Sequence, residues 1–200
     1  MNCLPSKAVF LDRDGVVNRK APEGEYIRRW QEIQFLPGAA KAVASLNHAG
    51  YKVFVVTNQR GIATRKVKTD DLLEIHRRIQ CEFAQHGGVI TQIYYCPHDL
   101  PANCCCRKPQ PGMLQQAARE YNVDLNASWM VGDSITDVKA GENAGCRTIF
   151  LASGPSPKSL STQVLVADTL ESAVPLMVSG YHLNPPRRDT NIRTIQESFL

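Results

Sequence analysis

Six residues at the ends of apolar runs have side chains that can do chemistry: Asp12 and Asp14 in FLDRDG, Thr57 in VVTNQ, Lys108 in CRKP, and Asp133 and Asp137 in VGDSITD. Carboxylates gathered at one edge repel one another and need a cation. Ligands that are all oxygen suit a hard ion that keeps its waters, which points to Mg²⁺. A metal among aspartates, with a hydroxyl and an ammonium at hand, suits phosphoryl transfer. In that chemistry one aspartate attacks phosphorus and holds it as an aspartyl-phosphate. A second carboxylate two residues on protonates the leaving oxygen and later deprotonates the incoming water. The transition state spreads charge over the equatorial oxygens, and the chain offers Asp133 for the metal, Lys108 for the charge and Thr57 for the hydroxyl.

Taken singly, each motif has a bland reading. DRDG is a solvated loop, GDSITD an acidic helix start, Thr57 a turn or cap residue, and Lys108 a surface charge. Their order, strand-DxDG, strand-TN, basic-Pro and strand-GDxxxD, is specific.

A second cluster lies in CPHDLPANCCCRKP, residues 96–109, which holds four of the seven cysteines and one of the five histidines. Structural zinc takes four thiolate or imidazole ligands in a tetrahedron, and Cys96 with His98 plus a C-x-C pair would supply them. Side chains one residue apart turn to the same side of an extended segment, whereas neighbours point apart, so Cys104 with Cys106 fits better than any pair using Cys105. The other readings are free thiols or a reversible disulfide, and a bridge between adjacent cysteines would be strained. With only protein ligands the metal is structural and braces the approach to Arg107 and Lys108. Cys3, Cys81 and Cys146 read as isolated thiols.

These groups need a scaffold. Ala8–Leu11, Lys52–Val56, Gln92–Tyr95, Ser128–Val131 and Thr148–Leu151 read as short buried strands. Between them come helical patterns from Pro37 to Gly50, Thr69 to about Gly87, Pro111–Tyr121 and Thr136–Ala144. This alternation implies an α/β fold with a doubly wound, mostly parallel sheet flanked by helices, and functional groups at the C-terminal strand ends. Val164–Val178 adds a last strand and helix. Residues 1–180 are expected to form one domain, with the zinc loop at 96–106, and 181–200 an extended or disordered tail. No segment is long enough for a separate cap over the site.

At 200 residues, 43% hydrophobic and 21% charged, the chain has the balance of a globular domain. It has no apolar run of membrane-spanning length, and acidic residues arrive too early for a signal peptide, so the expectation is a cytoplasmic protein that binds no membrane. A net charge of +4, with cations scattered among acids, shows no nucleic-acid stripe, although Arg60, Arg65, Lys66, Lys68, Arg107 and Lys108 can serve an anionic small molecule. A monomer is expected.

VFLDRDGVVN, VVTNQ, RKP and VGDSITD resemble, in order, the motifs of the haloacid dehalogenase superfamily of phosphatases. The resemblance implies Asp12 as nucleophile, Asp14 as general acid/base, and Thr57 and Lys108 as phosphoryl stabilisers. Mg²⁺ would be held by Asp12, the Asp14 backbone carbonyl and Asp133, with Asp137 either supporting them or ligating directly. C-x-H, C-x-C-RKPQPGM, FLPGA and TNQ-x-GIA are similar to the D-glycero-D-manno-heptose 1,7-bisphosphate phosphatases, a zinc-containing branch serving nucleotide-heptose synthesis for a surface glycan, lipopolysaccharide among them. That resemblance runs from about Val9 to Leu151. It implies a phosphorylated sugar as substrate, removal of its 7-phosphate, and substrate contacts from Arg107 and from Asn58, Gln59 and Arg60. Arg60, the basic run Thr64–Lys68 and the segment Arg19–Glu25 depart from the pattern and leave the sugar and its anomer open. The sister histidinol-phosphate phosphatases share the motifs but not PGM or GIA, and a polynucleotide 3′-phosphatase would lack the zinc loop. From another class, a zinc-braced binding protein with degenerate catalysis is set against the full complement of Asp12, Asp14, Thr57, Lys108 and Asp133.

Overall fold

Every residue of AVFL (8–11) is buried, and a strand turns alternate side chains to opposite faces, so this run requires cover on both sides. The structure, a computed structural model, describes residues 4–152, 154 and 160–179. Cys3 and the expected tail lie outside them. The elements in chain order are β1 (Ala8–Leu11), α1 (Ala39–His48), β2 (Lys52–Asn58), α2 (Thr69–Gln85), β3 (Ile90–Cys96), α3 (Gly112–Tyr121), β4 (Trp129–Gly132), α4 (Ile135–Ala144), β5 (Arg147–Leu151), β6 (Leu165–Ala167) and α5 (Leu170–Val178).

All six strands pair in parallel in the order β3-β2-β1-β4-β5-β6. The expected doubly wound α/β fold is present, and its winding direction reverses between β1 and β4, where such sheets open a crevice at their C-terminal ends. One face (Val9, Leu11, Val53, Val55, Val131, Ile149) packs on α1, α2 and α5, and the other (Ala8, Phe10, Phe54, Val56, Met130) on α3 and α4. No helix among the described residues is long and apolar enough to cross a membrane.

Two strands run further than the apolar pattern suggests. Thr57 and Asn58 continue β2, paired with Tyr95 and Cys96 of β3. Parallel pairing uses only backbone groups, so polar side chains at a strand end are carried along. Thr69 also lies inside the first turn of α2; Lys68 is at the cap position and makes no side-chain capping bond. By contrast, α4 starts with a reciprocal capping box between Ser134 and Asp137, which fixes Asp137 against the end of β4.

Phe54 is fully buried at the centre of the second face. Its ring stacks on Phe10 at 5.4 Å between centroids and meets Tyr121 edge-on at 5.2 Å. Phe54→Ala is therefore expected to destabilise the protein by about 3–5 kcal/mol. Urea unfolding checks this, and a loss below about 1 kcal/mol would show that the face is not packed as described.

Candidate active site

The order of the strands sets the order of the chemistry along the sheet edge. Cys96 ends β3, Thr57 and Asn58 end β2, Asp12 follows β1, and Asp133 follows β4. Carboxylate oxygens of Asp12, Asp133 and Asp137 lie within 4.8 Å of one another. Gly15 and Gly132 permit this crowding. A Cβ on Gly15, whose φ is +101°, would fall 1.9 Å from Asp133 Oδ2, and one on Gly132 would fall 2.2 Å from the Asp137 Cβ.

Lys108 occupies the middle of the cluster and is 3% exposed. Its ammonium donates to Asp12 Oδ1 at 2.6 Å and to the Val56 carbonyl at 2.8 Å, and it pairs with Asp137 Oδ1 at 2.7 Å. Burial alone would lower the Lys108 pKa, but Asp12 and Asp137 raise it, so the amine stays charged. Burial pushes Asp12 up to about 7 even though Lys108 opposes it. Asp133 is likewise raised by burial, with Lys20 as the chief counterweight. Lys20 meets Asp133 Oδ2 at 2.7 Å, while Asp133 Oδ1 is buried with no partner among the described residues. The buried, unpartnered Asp133 oxygen, with carboxylates of Asp12 and Asp137 close by, is a place where a cation can be bound. The donor set fits a hard divalent ion.

Asp14 sits differently. Arg13 donates to both of its oxygens, from Nε at 3.0 Å and Nη2 at 2.8 Å. Asn18 adds a bond to Oδ1 at 2.9 Å and Gln59 one to Oδ2 at 3.1 Å. Burial would raise Asp14, but Arg13, Asn18 and Gln59 outweigh it and hold the acid below its usual range.

The residues expected at the substrate all have protein partners. Asn58 accepts from the Lys108 backbone N–H and donates to its carbonyl, each at 3.1 Å, and so fixes the peptide that carries the ammonium. Gln59 bridges Asp14 and the Thr57 hydroxyl, which lies 2.9 Å from its amide nitrogen. Arg60 is ion-paired with Asp99, and Arg107 donates to the His98 carbonyl at 3.2 Å. Both cations thus clasp the cysteine loop at an exposed rim.

In that loop the sulfurs of Cys96, Cys104 and Cys106 and Nδ1 of His98 form one cluster. The Cys96–Cys104 and Cys104–Cys106 edges are both 3.6 Å, Cys96–His98 is 3.5 Å and His98–Cys106 3.2 Å. A tetrahedral ion with Zn–S near 2.3 Å implies edges of about 3.5–3.8 Å. Three of the four edges meet that range and His98–Cys106 is shorter, so the residues present fit zinc, while Cys105 is exposed and outside the cluster.

Four residues escaped the sequence reading: Arg13, Asn18, Lys20 and His76. Arg13 stands between two aspartates, a signal that it must pair with one of them. His76 falls on the apolar stripe of α2 with Leu72, Ile75, Ile79 and Phe83, where a polar side chain needs a buried partner. Asn18 and Lys20 come from irregular chain and carried no signal.

The parallel sheet and its acidic switch-point edge define a doubly wound α/β protein with a carboxylate-lined crevice. A family model described as "HAD-hyrolase-like" matches residues 105–173, a span that holds Lys108, Asp133 and Asp137 but not Asp12. D-glycero-beta-D-manno-heptose-1,7-bisphosphate 7-phosphatase of Pseudomonas aeruginosa is 40% identical over 152 residues, 76% of this chain and 84% of that protein. D-glycero-alpha-D-manno-heptose-1,7-bisphosphate 7-phosphatase of Mycobacterium tuberculosis is 39% identical over 136 residues, 68% and 71% of the two chains. A crystal structure of D,D-heptose 1,7-bisphosphate phosphatase from B. bronchiseptica, complexed with magnesium and phosphate, superposes with a TM-score of 0.78 at 35% identity, covering 86% of this chain and 98% of that one. The chain belongs to the heptose-1,7-bisphosphate 7-phosphatase family, whose members are phosphoric monoester hydrolases.

Burial, followed by the Arg13 charge, pushes His76 down to about 3, with Asp14 opposing. Below its ordinary value of 6.5 the unfolded histidine takes up a proton that the folded one refuses, so stability falls as pH drops from 6.5 toward 3. His76 should contribute up to about 1.4 kcal/mol per pH unit to that slope. Urea unfolding across this range is expected to show a shallower slope for His76→Gln than for the unaltered protein; parallel slopes would contradict the burial of a neutral ring.

Proposed function

We propose that the protein is a Mg²⁺-dependent phosphatase that removes the 7-phosphate of D-glycero-D-manno-heptose 1,7-bisphosphate through an aspartyl-phosphate on Asp12. The observation carrying this reading is the buried Lys108 ammonium, held between Asp12 and Asp137 beside the unpartnered Asp133 oxygen. Identity to the heptose-1,7-bisphosphate 7-phosphatases supports the substrate, and the phosphate and magnesium of the B. bronchiseptica complex support the chemistry.

An Asp12 oxygen attacks phosphorus, the bond from phosphorus to the sugar oxygen breaks, and Asp14 gives that oxygen a proton. Water then attacks the phosphorus of the acyl phosphate and yields its proton to Asp14, while Asp12 departs as a carboxylate and inorganic phosphate is freed. Asp14 is left ready for another turnover. As an anion held by Arg13, it has the form needed for the second half; the charge of a bound phosphate favours proton uptake for the first. Lys108 and the Thr57 hydroxyl face the charge that spreads over the phosphoryl oxygens.

Asp12, Asp133 and the Asp14 backbone carbonyl would hold Mg²⁺, which neutralises acidic charge and polarises phosphoryl oxygens when bound. Asp12, Asp14, Asp133 and Asp137 are met by three cations, Lys108, Arg13 and Lys20, so one negative charge is left over for a bound cation to offset. Asp137 acts apart from the ion, pairing with Lys108 and capping α4, and so positions the ammonium. Zinc on Cys96, His98, Cys104 and Cys106 would fix the loop leading into Arg107 and Lys108. Arg107 and Arg60, at the exposed rim, would turn to the remote phosphate of the sugar, with Asn58 and Gln59 steadying Lys108 and Thr57 behind them.

Phosphate release from both anomers of heptose 1,7-bisphosphate, measured with Mg²⁺ against histidinol phosphate, tests the substrate. Faster turnover of histidinol phosphate would overturn it. Asp12→Asn should cut turnover at least about 10³-fold without loss of fold, and retained activity would remove Asp12 as nucleophile. Metal analysis should find one zinc per chain in Cys105→Ser and far less in Cys104→Ser or Cys106→Ser, with turnover falling alongside. Zinc lost from the Cys105 variant alone would mean a different ligand set.

A further inference from the structure

Arg13 and His76 are buried ionisable groups, and the chemistry above uses only the Arg13 charge on Asp14 and nothing of His76. Arg13 is 1% exposed and His76 5%. Beyond the two nitrogens on Asp14, the remaining Arg13 nitrogen, Nη1, lies 3.3 Å from His76 Nε2. A guanidinium only donates, so Nε2 accepts and the ring proton is on Nδ1. His76 comes from α2, 63 residues along the chain from Arg13, and its ring packs edge to face with Tyr95 of β3 at 5.8 Å between centroids. The ring therefore gives Arg13 an acceptor in a fixed place.

The donors around Asp14 are not equivalent. Asn18 has a second partner in the Arg19 carbonyl at 2.8 Å, and Gln59 has the Thr57 hydroxyl at 2.9 Å. Either can withdraw when an Asp14 oxygen takes a proton. The paired bonds from Arg13 have fixed planar geometry and hold the carboxylate's orientation throughout. Without an acceptor on its third nitrogen, a buried guanidinium keeps an unsatisfied donor and turns toward another oxygen, taking the Asp14 plane with it.

We infer that His76 is a positioning residue for proton transfer: through Arg13 it orients the Asp14 carboxyl toward the leaving sugar oxygen. This rests on the reading of Asp14 as general acid/base. A sugar alkoxide needs a proton as it leaves, whereas p-nitrophenolate does not, and kcat/KM reports only steps up to the aspartyl-phosphate. His76→Phe, which fills the space without an acceptor, should lower kcat/KM for heptose 1,7-bisphosphate by about tenfold or more, and for p-nitrophenyl phosphate by less than about twofold. His76→Gln, whose side-chain oxygen still accepts, should recover most of the loss.

Equal losses on the two substrates, or none, would overturn the inference. Should the phenyl ring prevent folding, His76→Leu is read in the same way. Asp14→Asn is the reference: a loss there that depends on the leaving group, absent from the His76 variants, removes the positioning role alone. No such dependence in Asp14→Asn removes the acid/base reading beneath it.

Discussion

A single buried ammonium holds the acidic edge together. Lys108 touches Asp12, Asp137 and the Val56 carbonyl, and so joins the ends of β1 and β2 and the start of α4 through one charge. Desolvating an ammonium costs several kcal/mol, and only good geometry with every proton paired makes that burial tolerable. Much of the surrounding structure supplies such geometry. Asn58 binds both sides of the Lys108 peptide, and the Ser134–Asp137 capping box turns Asp137 toward the amine.

The cysteine loop belongs to the same constraint. It joins the end of β3 to Lys108, and a long irregular connection cannot hold a charge to a fraction of an ångström by backbone alone. The side chains of Cys96, His98, Cys104 and Cys106 gather in one cluster and close the loop on itself. The Gln59 N–H bond to the Cys96 carbonyl, at 2.8 Å, and the Arg60–Asp99 pair then tie it to the loop after β2. Thr57 and Lys108, far apart in sequence, thus share one support.

The layers were legible because β1, β2 and β4 are apolar runs buried on both faces and α2 repeats its apolar residues at three or four. The acids were legible for a related reason: a charged group directly after a buried run must lie at a strand end, and parallel strands bring those ends together. Pairwise commitments were not legible. Asn58 on Lys108 and His76 on Arg13 each join positions fifty or more residues apart, 50 and 63 respectively, and nothing local distinguishes either from a surface amide or a core histidine. Lys20 reaches Asp133 from irregular chain, where no periodicity fixes the direction of a side chain.

Asp12 and Asp14 are two residues apart on one loop and yet stand on opposite sides of the ordinary carboxylate range. Spacing alone would treat them alike. Burial raises Asp12 against the pull of Lys108, whereas Arg13, reaching both Asp14 oxygens, lowers its neighbour. The difference follows from which cation each acid meets: Asp12 shares Lys108 with Asp137, whereas both Asp14 oxygens are held by Arg13, which His76 backs in turn.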